Sequence, residues 1–319
     1  MHKFFLVIFF LILNFNIEAQ VIQFPSKPIR LLVGFPPGGP IDLQARLIAQ
    51  RLNERLKQPV IVENRPGADA VLATQMLAKS APDGHTLILA SIGFATVPSL
   101  NSNLPYNPYK DFAPVIYIAS GAMMLVAHPS LNISNLQELI QLARTNPGQI
   151  NYGSAGLGSS NHLGIELLGR TVGVNMNHVP YKGAAPATSD LLAGQIQLML
   201  NPISNALPLV KNGKLRAIAV STNKRSPSAV DVPTINETIQ GFDISLWSGI
   251  LVPNGTPENI KKMLNTEINL ALNNIELKKS FLDNGFEVVG GTQELFGDLL
   301  NIELRRWQKL ARDLNLKIE

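Results

Sequence analysis

Two stretches of this chain carry the residue types that hold an anion by backbone groups alone. The first is Leu31-Leu-Val-Gly-Phe-Pro-Pro-Gly-Gly-Pro-Ile-Asp42; the second, about 120 residues on, is Ile150-Asn-Tyr-Gly-Ser-Ala-Gly-Leu-Gly-Ser-Ser-Asn161. Each reads as an apolar strand, a glycine turn and the start of an amphipathic helix. Such a junction leaves backbone N–H groups unpaired at the positive end of a helix dipole, which suits a carboxylate or a phosphate. In the first turn the prolines donate nothing, so the donors are Gly38, Gly39 and Ile41, with Pro40 at the helix start. Asp42 is expected to cap that helix through its N2 or N3 amide. A carboxylate there would repel a bare anion, although it could meet an ammonium group. In the second turn Ser154, Ser159 and Ser160 offer hydroxyl donors, unless one of them serves as the cap. A matched pair of such turns suggests two lobes closing on a small acid.

Other chemistries fit less well. Gly153 to Ser160 has the glycine spacing of a phosphate loop but not its lysine, and Gly156-Leu-Gly158 lacks the third glycine of a dinucleotide fingerprint. There is no G-x-S-x-G elbow and no His-Glu-x-x-His. The histidines are His2, His85, His128, His162 and His178, none four residues from another, so neither a metal nor a cofactor is expected. Ser154 or Ser159 with His162 or His178 remains as a nucleophile and base. A secreted serine-type hydrolase using Ser159 and His162 is therefore the alternative function, decided by whether that pair lies within hydrogen-bond reach. Lys182, in a Tyr-Lys-Gly turn, reads as a solvated lysine.

The bulk numbers agree with a binding protein. The sequence has 319 residues, 45% hydrophobic, no cysteine and a net charge of +4. Disulfides and thiolate chemistry are excluded. The basic residues are scattered mostly singly, with Lys224-Arg225 only an adjacent pair, which argues against nucleic acid, while a mild positive field would help to collect small anions. Lys3, the apolar run Phe4 to Leu13 and Ile17-Glu-Ala19 read as a cleaved export signal over 1–19. That run of ten is too short to span a bilayer.

From Pro28 onward strand-like and helix-like segments alternate, the pattern of an α/β protein with largely parallel sheets. Strands are expected at Ile29 to Phe35, Val60 to Glu63, Thr86 to Ala90, Ile196 to Leu200 and Leu215 to Ser221. Helices are expected at Leu43 to Leu56, Val71 to Ser80, Leu136 to Arg144, Pro186 to Leu192, Pro257 to Leu272 and Gln293 to Leu314, the last two packing back on the first lobe. Val115 to His128 is too long for an ordinary strand and reads as one leaving the first lobe for the second; Phe242 to Pro253 would be the return crossing. Lobe one then comprises 22–121 and 222–319, and lobe two 122–221.

These residues resemble a known family, the Bug-type extracytoplasmic solute receptors of tripartite tricarboxylate transporters. The likeness runs through Phe35-Pro-Pro-Gly-Gly39 with Asp42, Val62-Glu-Asn-Arg-Pro-Gly67, Ala81-Pro-Asp-Gly84, Tyr152-Gly-Ser154 with Gly156 and Gly158-Ser159, His178-Val-Pro-Tyr-Lys-Gly183 and Asp231-Val-Pro-Thr234. The resemblance implies two α/β lobes joined by two crossing strands, closing like a flytrap. It also implies a non-enzymatic periplasmic receptor that hands a small carboxylate to a membrane transporter; a monomer is expected, and a sensor subunit that reports the ligand to a membrane kinase is a further alternative. The ligand carboxylate would sit between Phe35, Pro37, Gly38, Gly39 and Asp42 on one side and Ser154, Ala155, Gly156, Gly158 and Ser159 on the other. The rest of the ligand would face Ser91, Gly93, Tyr181, Gly183 and Ala184. The chain departs from the family pattern at Ile41, where Thr or Ser is usual. It departs again at Asp69, Ala70 and Val71, where two glycines and an asparagine are usual, and at Gln197, where an Asp is common. The first two departures point to a less polar or differently charged ligand.

Overall fold

The computed structural model of the protein describes residues 24–67 and 69–316. The expected export signal lies outside them. The chain first builds β1 (Ile29–Val33), α1 (Pro40–Leu56), β2 (Val60–Asn64), α2 (Val71–Ala78), β3 (Thr86–Ser91), α3 (Gly93–Leu100) and β4 (Phe112–Ala127). There follow α4 (Leu136–Thr145), β5 (Asn151–Ser154), α5 (Ser160–Val172), β6 (Asn177–Pro180), α6 (Ala184–Leu192), β7 (Leu198–Pro202), α7 (Ile203–Lys211) and β8 (Arg216–Val220). It returns through β9 (Ser245–Pro253) and ends in α8 (Glu258–Leu272), α9 (Ile275–Asp283), β10 (Phe286–Val288) and α10 (Gln293–Asp313).

The local chemistry explains these elements. Pro40 opens α1, where its missing N–H costs nothing, and Lys57 in the left-handed conformation closes it. Between them Ala45, Ile48, Ala49, Leu52 and Leu56 form the buried stripe. β3, parallel to β1 and antiparallel to β9, is buried at every position, as a central strand covered on both faces must be.

Hydrogen bonding orders the strands β2-β1-β3-β9-β4-β7-β5-β6, with β8 and β10 also on β4. β1 runs parallel to β2 and β3, and β5 parallel to β6 and β7. Two parallel groups are thus joined through the antiparallel strands β4 and β9. Residues 112–122 of β4 pair with β9, and residues 123–127 pair with β7. Register shifts after Pro114, Tyr117 and Leu125 let this long strand bend between the groups. The result is the two-lobed α/β fold with crossing strands that the over-long runs at 115–128 and 242–253 and the family resemblance imply. β1 and β5 are equivalent in the two lobes, so the two glycine turns leave corresponding strand ends.

α10 does more than pack on the first lobe. Glu303, on its buried face, accepts the indole N–H of Trp247 at 3.3 Å and of Trp307 at 2.9 Å. Arg306 donates to the other Glu303 oxygen at 2.6 Å and to the Asp243 carbonyl at 2.7 Å, which fixes the helix to the start of β9. Burial raises the Glu303 carboxyl, against the opposing pull of Arg306 and the two indoles. At its far end Asp313 pairs with Arg170 of α5 at 3.4 Å, so α10 reaches across to the second lobe.

Candidate functional site

The first turn is built from β1, α1 and Asn64. Gly34 leaves β1 so close to Ala70 that an added Cβ would sit 2.2 Å from the Ala70 methyl. Gly38 takes φ +86, which L side chains avoid, and Gly39 is the α1 N-cap residue. The expectation that Asp42 caps α1 through its N2 or N3 amide is not met. Because Pro40 starts the helix, Asp42 is its third residue, and its carboxylate reaches backwards instead. Oδ2 accepts from Gly38 N–H at 2.9 Å and from Arg46 Nε at 2.8 Å, and Oδ1 accepts from Asn64 Nδ2 at 2.8 Å. Asn64 also donates to the Phe35 carbonyl at 3.0 Å, so one carboxylate and one amide fix the whole turn. Burial alone would raise the Asp42 carboxyl; the bonds from Arg46, Gly38 and Asn64 outweigh it and hold the group at about 2. The Gly38 N–H is therefore spent inside the turn. Gly39 and Ile41 N–H meet no acceptor among the described residues.

The second turn is likewise partly self-satisfied. Ser159 is the α5 N-cap: Oγ accepts from His162 N–H at 3.4 Å and donates to the Gly156 carbonyl at 2.7 Å. Ser154 is fully buried, accepts from Gly156 N–H at 3.1 Å and lies 2.6 Å from His178 Nε2. Gly158 N–H donates to His162 Nδ1 at 3.1 Å. The N–H groups of Ala155, Leu157 and Ser160 meet no acceptor among the described residues. Tyr181 and Gly183 buttress the turn, donating N–H to the Ser154 and Ala155 carbonyls, both at 3.2 Å. Tyr181 OH is held by Asp190 at 2.8 Å, and Gly183 is the N-cap residue of α6, with Ala184 beginning that helix. Beneath the turn the rings of Tyr152, His178 and His162 stack, with centroids 5.0 and 4.0 Å apart, and Tyr152 OH bonds Glu166. Burial, then the neighbouring His178, lowers His162 to about 4.

Each turn opens on its own cavity. One of about 410 Å³ is lined by Phe35, Pro37, Gly39, Ser91, Trp247 and Phe286 among others, and is almost wholly apolar. The other, about 490 Å³, lies between the lobes and is lined by Asp69, Val97 and Asn101 on one side and by Ala155, Gly158 and Ser159 on the other. The corner between β3 and α3 borders both: Ser91 and Ile92 line the first, and Gly93 lies against Asp69 of the second. The structure thus brings Ala155, Gly158 and Ser159 opposite the first lobe but does not put the two turns in one cavity. Gly38, Asp42 and Ser154 line neither. Ile41 was expected as an N–H donor but not as a cavity wall, and Asp69, Trp247 and Phe286 were outside the expected site. Only Ile41 and Asp69 carried a sequence signal, as departures from the family pattern.

Ser159 and His162 do not form the hydrolase pair, since the hydroxyl bonds the Gly156 carbonyl and the ring nitrogen accepts from Gly158. Ser154 and His178 are within reach, but the serine is shut off from solvent, and no carboxylate orients the His178 ring among the described residues. Among those residues no group of three side chains could hold a metal ion, and no helix is long and apolar enough to cross a membrane.

Known proteins of this architecture agree. Residues 44–316 match the tripartite tricarboxylate transporter family receptor. Protein BugT of Bordetella pertussis is 35% identical over 303 residues, covering 93% of this chain and 92% of its own. The structure of R. palustris Rpa4515 with adipate superposes with a TM-score of 0.77 at 34% identity, over 92% of this chain and 99% of that one. MatC from Rhodopseudomonas palustris with bound malate gives 0.73 at 33%, over 90% and 100%. This chain belongs to the tripartite tricarboxylate transporter receptor family, the Bug-type solute receptors, and is a solute-binding protein rather than an enzyme.

Proposed function

We propose that this protein captures a small carboxylate between its two glycine turns and delivers it to an integral-membrane transporter subunit. One observation carries the reading: N–H groups without an acceptor among the described residues, those of Gly39 and Ile41 at the α1 N-terminus and of Ala155, Leu157 and Ser160 at the α5 N-terminus, flank the β3–α3 corner. Two positive helix ends are a complement for one carboxylate. Because each turn belongs to a different lobe and lines a different cavity here, the ligand engages both only when the lobes close. Binding then shifts the population toward the closed form. The moving bodies are the two lobes, hinged on β4 and β9. The apolar cavity beside Phe35 and Trp247 suits a hydrocarbon body, and Ile41 adds to that surface. The dicarboxylates in the two relatives, adipate and malate, support the ligand class. The protein works as a monomer in the periplasm after removal of its export segment, and needs neither nucleic acid nor a cofactor.

A thermal-shift screen of the chain from Gln20 against mono-, di- and tricarboxylates and amino acids tests this reading. A ligand at a hundred times its dissociation constant adds about 2.7 kcal/mol, a shift of several degrees. A selective shift without turnover of the ligand is the expected result; no shift with any acid contradicts it.

A further inference from the structure

Among the described residues, Asp69 is a charged side chain of the cleft that the fold leaves unused. Asp69 and Ala70 both sit in the left-handed region, at φ +50 and +71, ahead of α2. A side-chain-bearing residue in this region is strained relative to glycine. Asp is among the few that visit this region, whereas the Ala70 side chain gains no local hydrogen bond there. The Asp69 carboxylate stands against the β3–α3 corner: a Cβ on Gly93 would lie 3.3 Å from Oδ2 and 3.5 Å from Oδ1. It lines the inter-lobe cavity directly across from Ala155, Gly158 and Ser159.

The contrast with Asp42 is informative. Asp42 receives Gly38, Arg46 and Asn64 and is itself buried, away from a ligand. Asp69 meets no hydrogen-bond donor and no ion-pair partner among the described residues. The residue is open to the cleft, yet the surrounding atoms crowd its carboxyl enough to push it above the usual carboxylate range. The phenol of Tyr106 nearby, raised to about 12 by burial, also feels the Asp69 charge. A carboxylate in this position repels a second carboxylate and is complemented by a cation.

We infer that Asp69 selects the ligand by binding a protonated amine, so that the solute is an amino acid or a comparable zwitterion rather than a dicarboxylate. Its carboxylate end meets the turn N–H groups and its ammonium end meets Asp69. This assignment rests on the receptor reading given above and refines it.

Calorimetric titration with four five-carbon acids tests it: pentanoate, glutarate, 5-aminopentanoate and glutamate, on the native protein and on Asp69→Asn. Asn also adopts the left-handed conformation, and an unchanged unfolding midpoint verifies that the variant is folded. The native protein is expected to bind at least one of the two amine-bearing acids at least tenfold more tightly than pentanoate or glutarate. D69N is expected to lose that preference and to gain affinity for glutarate. Tightest binding of glutarate by the native protein, or an amine preference that survives in D69N, overturns the role of Asp69 while leaving the carboxylate receptor standing. Absence of binding by all four acids, in both proteins and with larger acids too, overturns the receptor reading and this inference with it.

Discussion

The Gly158 N–H donates to His162 Nδ1 at 3.1 Å, so the second turn is held in shape by a neutral imidazole. Protonation would convert the acceptor into a donor and set a charge against the stacked ring of His178, 4.0 Å away between ring centroids.

Stability should accordingly depend on this histidine. Its folded value is about 4 against an ordinary 6.5, so between those values the unfolded chain binds more protons than the folded one. Stability therefore rises with pH across that window and falls as the solution is acidified, by on the order of 3 kcal/mol for His162 alone. Urea unfolding from pH 4 to 7 should show the slope, and His162→Gln should flatten it. An equal slope in the variant contradicts the assignment.

Asp42 makes the opposite kind of contribution. Its carboxyl is held at about 2, below its ordinary 3.8, so the stabilisation is fully present above pH 3.8 and is lost as the pH falls toward 2. Asp42→Ala strips acceptors from Gly38, Arg46 and Asn64 together, and a loss of about 2–4 kcal/mol at pH 7 is expected by chemical unfolding. A change below 0.5 kcal/mol, the size of an ordinary surface substitution, would mean that the turn does not depend on this carboxylate.

The glycines of the turns should separate fold from binding. Gly156 has φ +128, and an added Cβ would lie 3.3 Å from the Tyr181 carbonyl, so Gly156→Val costs about 1–3 kcal/mol of stability as well as affinity. Gly39 has φ −78, and its nearest neighbour to an added Cβ is the Pro36 carbonyl at 3.7 Å. Gly39→Val should thus fold normally and still weaken carboxylate binding at least tenfold, since the side chain would cover the N–H groups. Unchanged affinity in both variants sinks the site assignment.

Much of this was legible in the residues, because periodicity reports burial directly. The stripe of α1, the over-long β4 and the amphipathic α10 all follow from apolar spacing. α3 was not legible: it opens at Gly93 and contains Pro98, both of which signal a loop, and it exists because Phe94 and Ala95 bury themselves against α10 and β4 neighbours. α7 hides in the same way behind Pro208. At the site, the turns themselves were readable, but not which N–H groups remain free. That depends on Asn64, Arg46 and His162, whose partnerships are settled only in three dimensions. The cavity wall from Trp247 and Phe286 is assembled from residues more than 190 positions downstream of Phe35, with no local signature.

The claim that both turns grip one carboxylate is tested most directly by following backbone amides in solution. In a ¹⁵N-labelled sample titrated with the tightest-binding acid, the amide resonances of Gly39, Ile41, Ala155 and Ser160 should shift together and saturate at one midpoint. A bound acid that shifts the amides of only one turn, or of neither, would contradict the two-turn site.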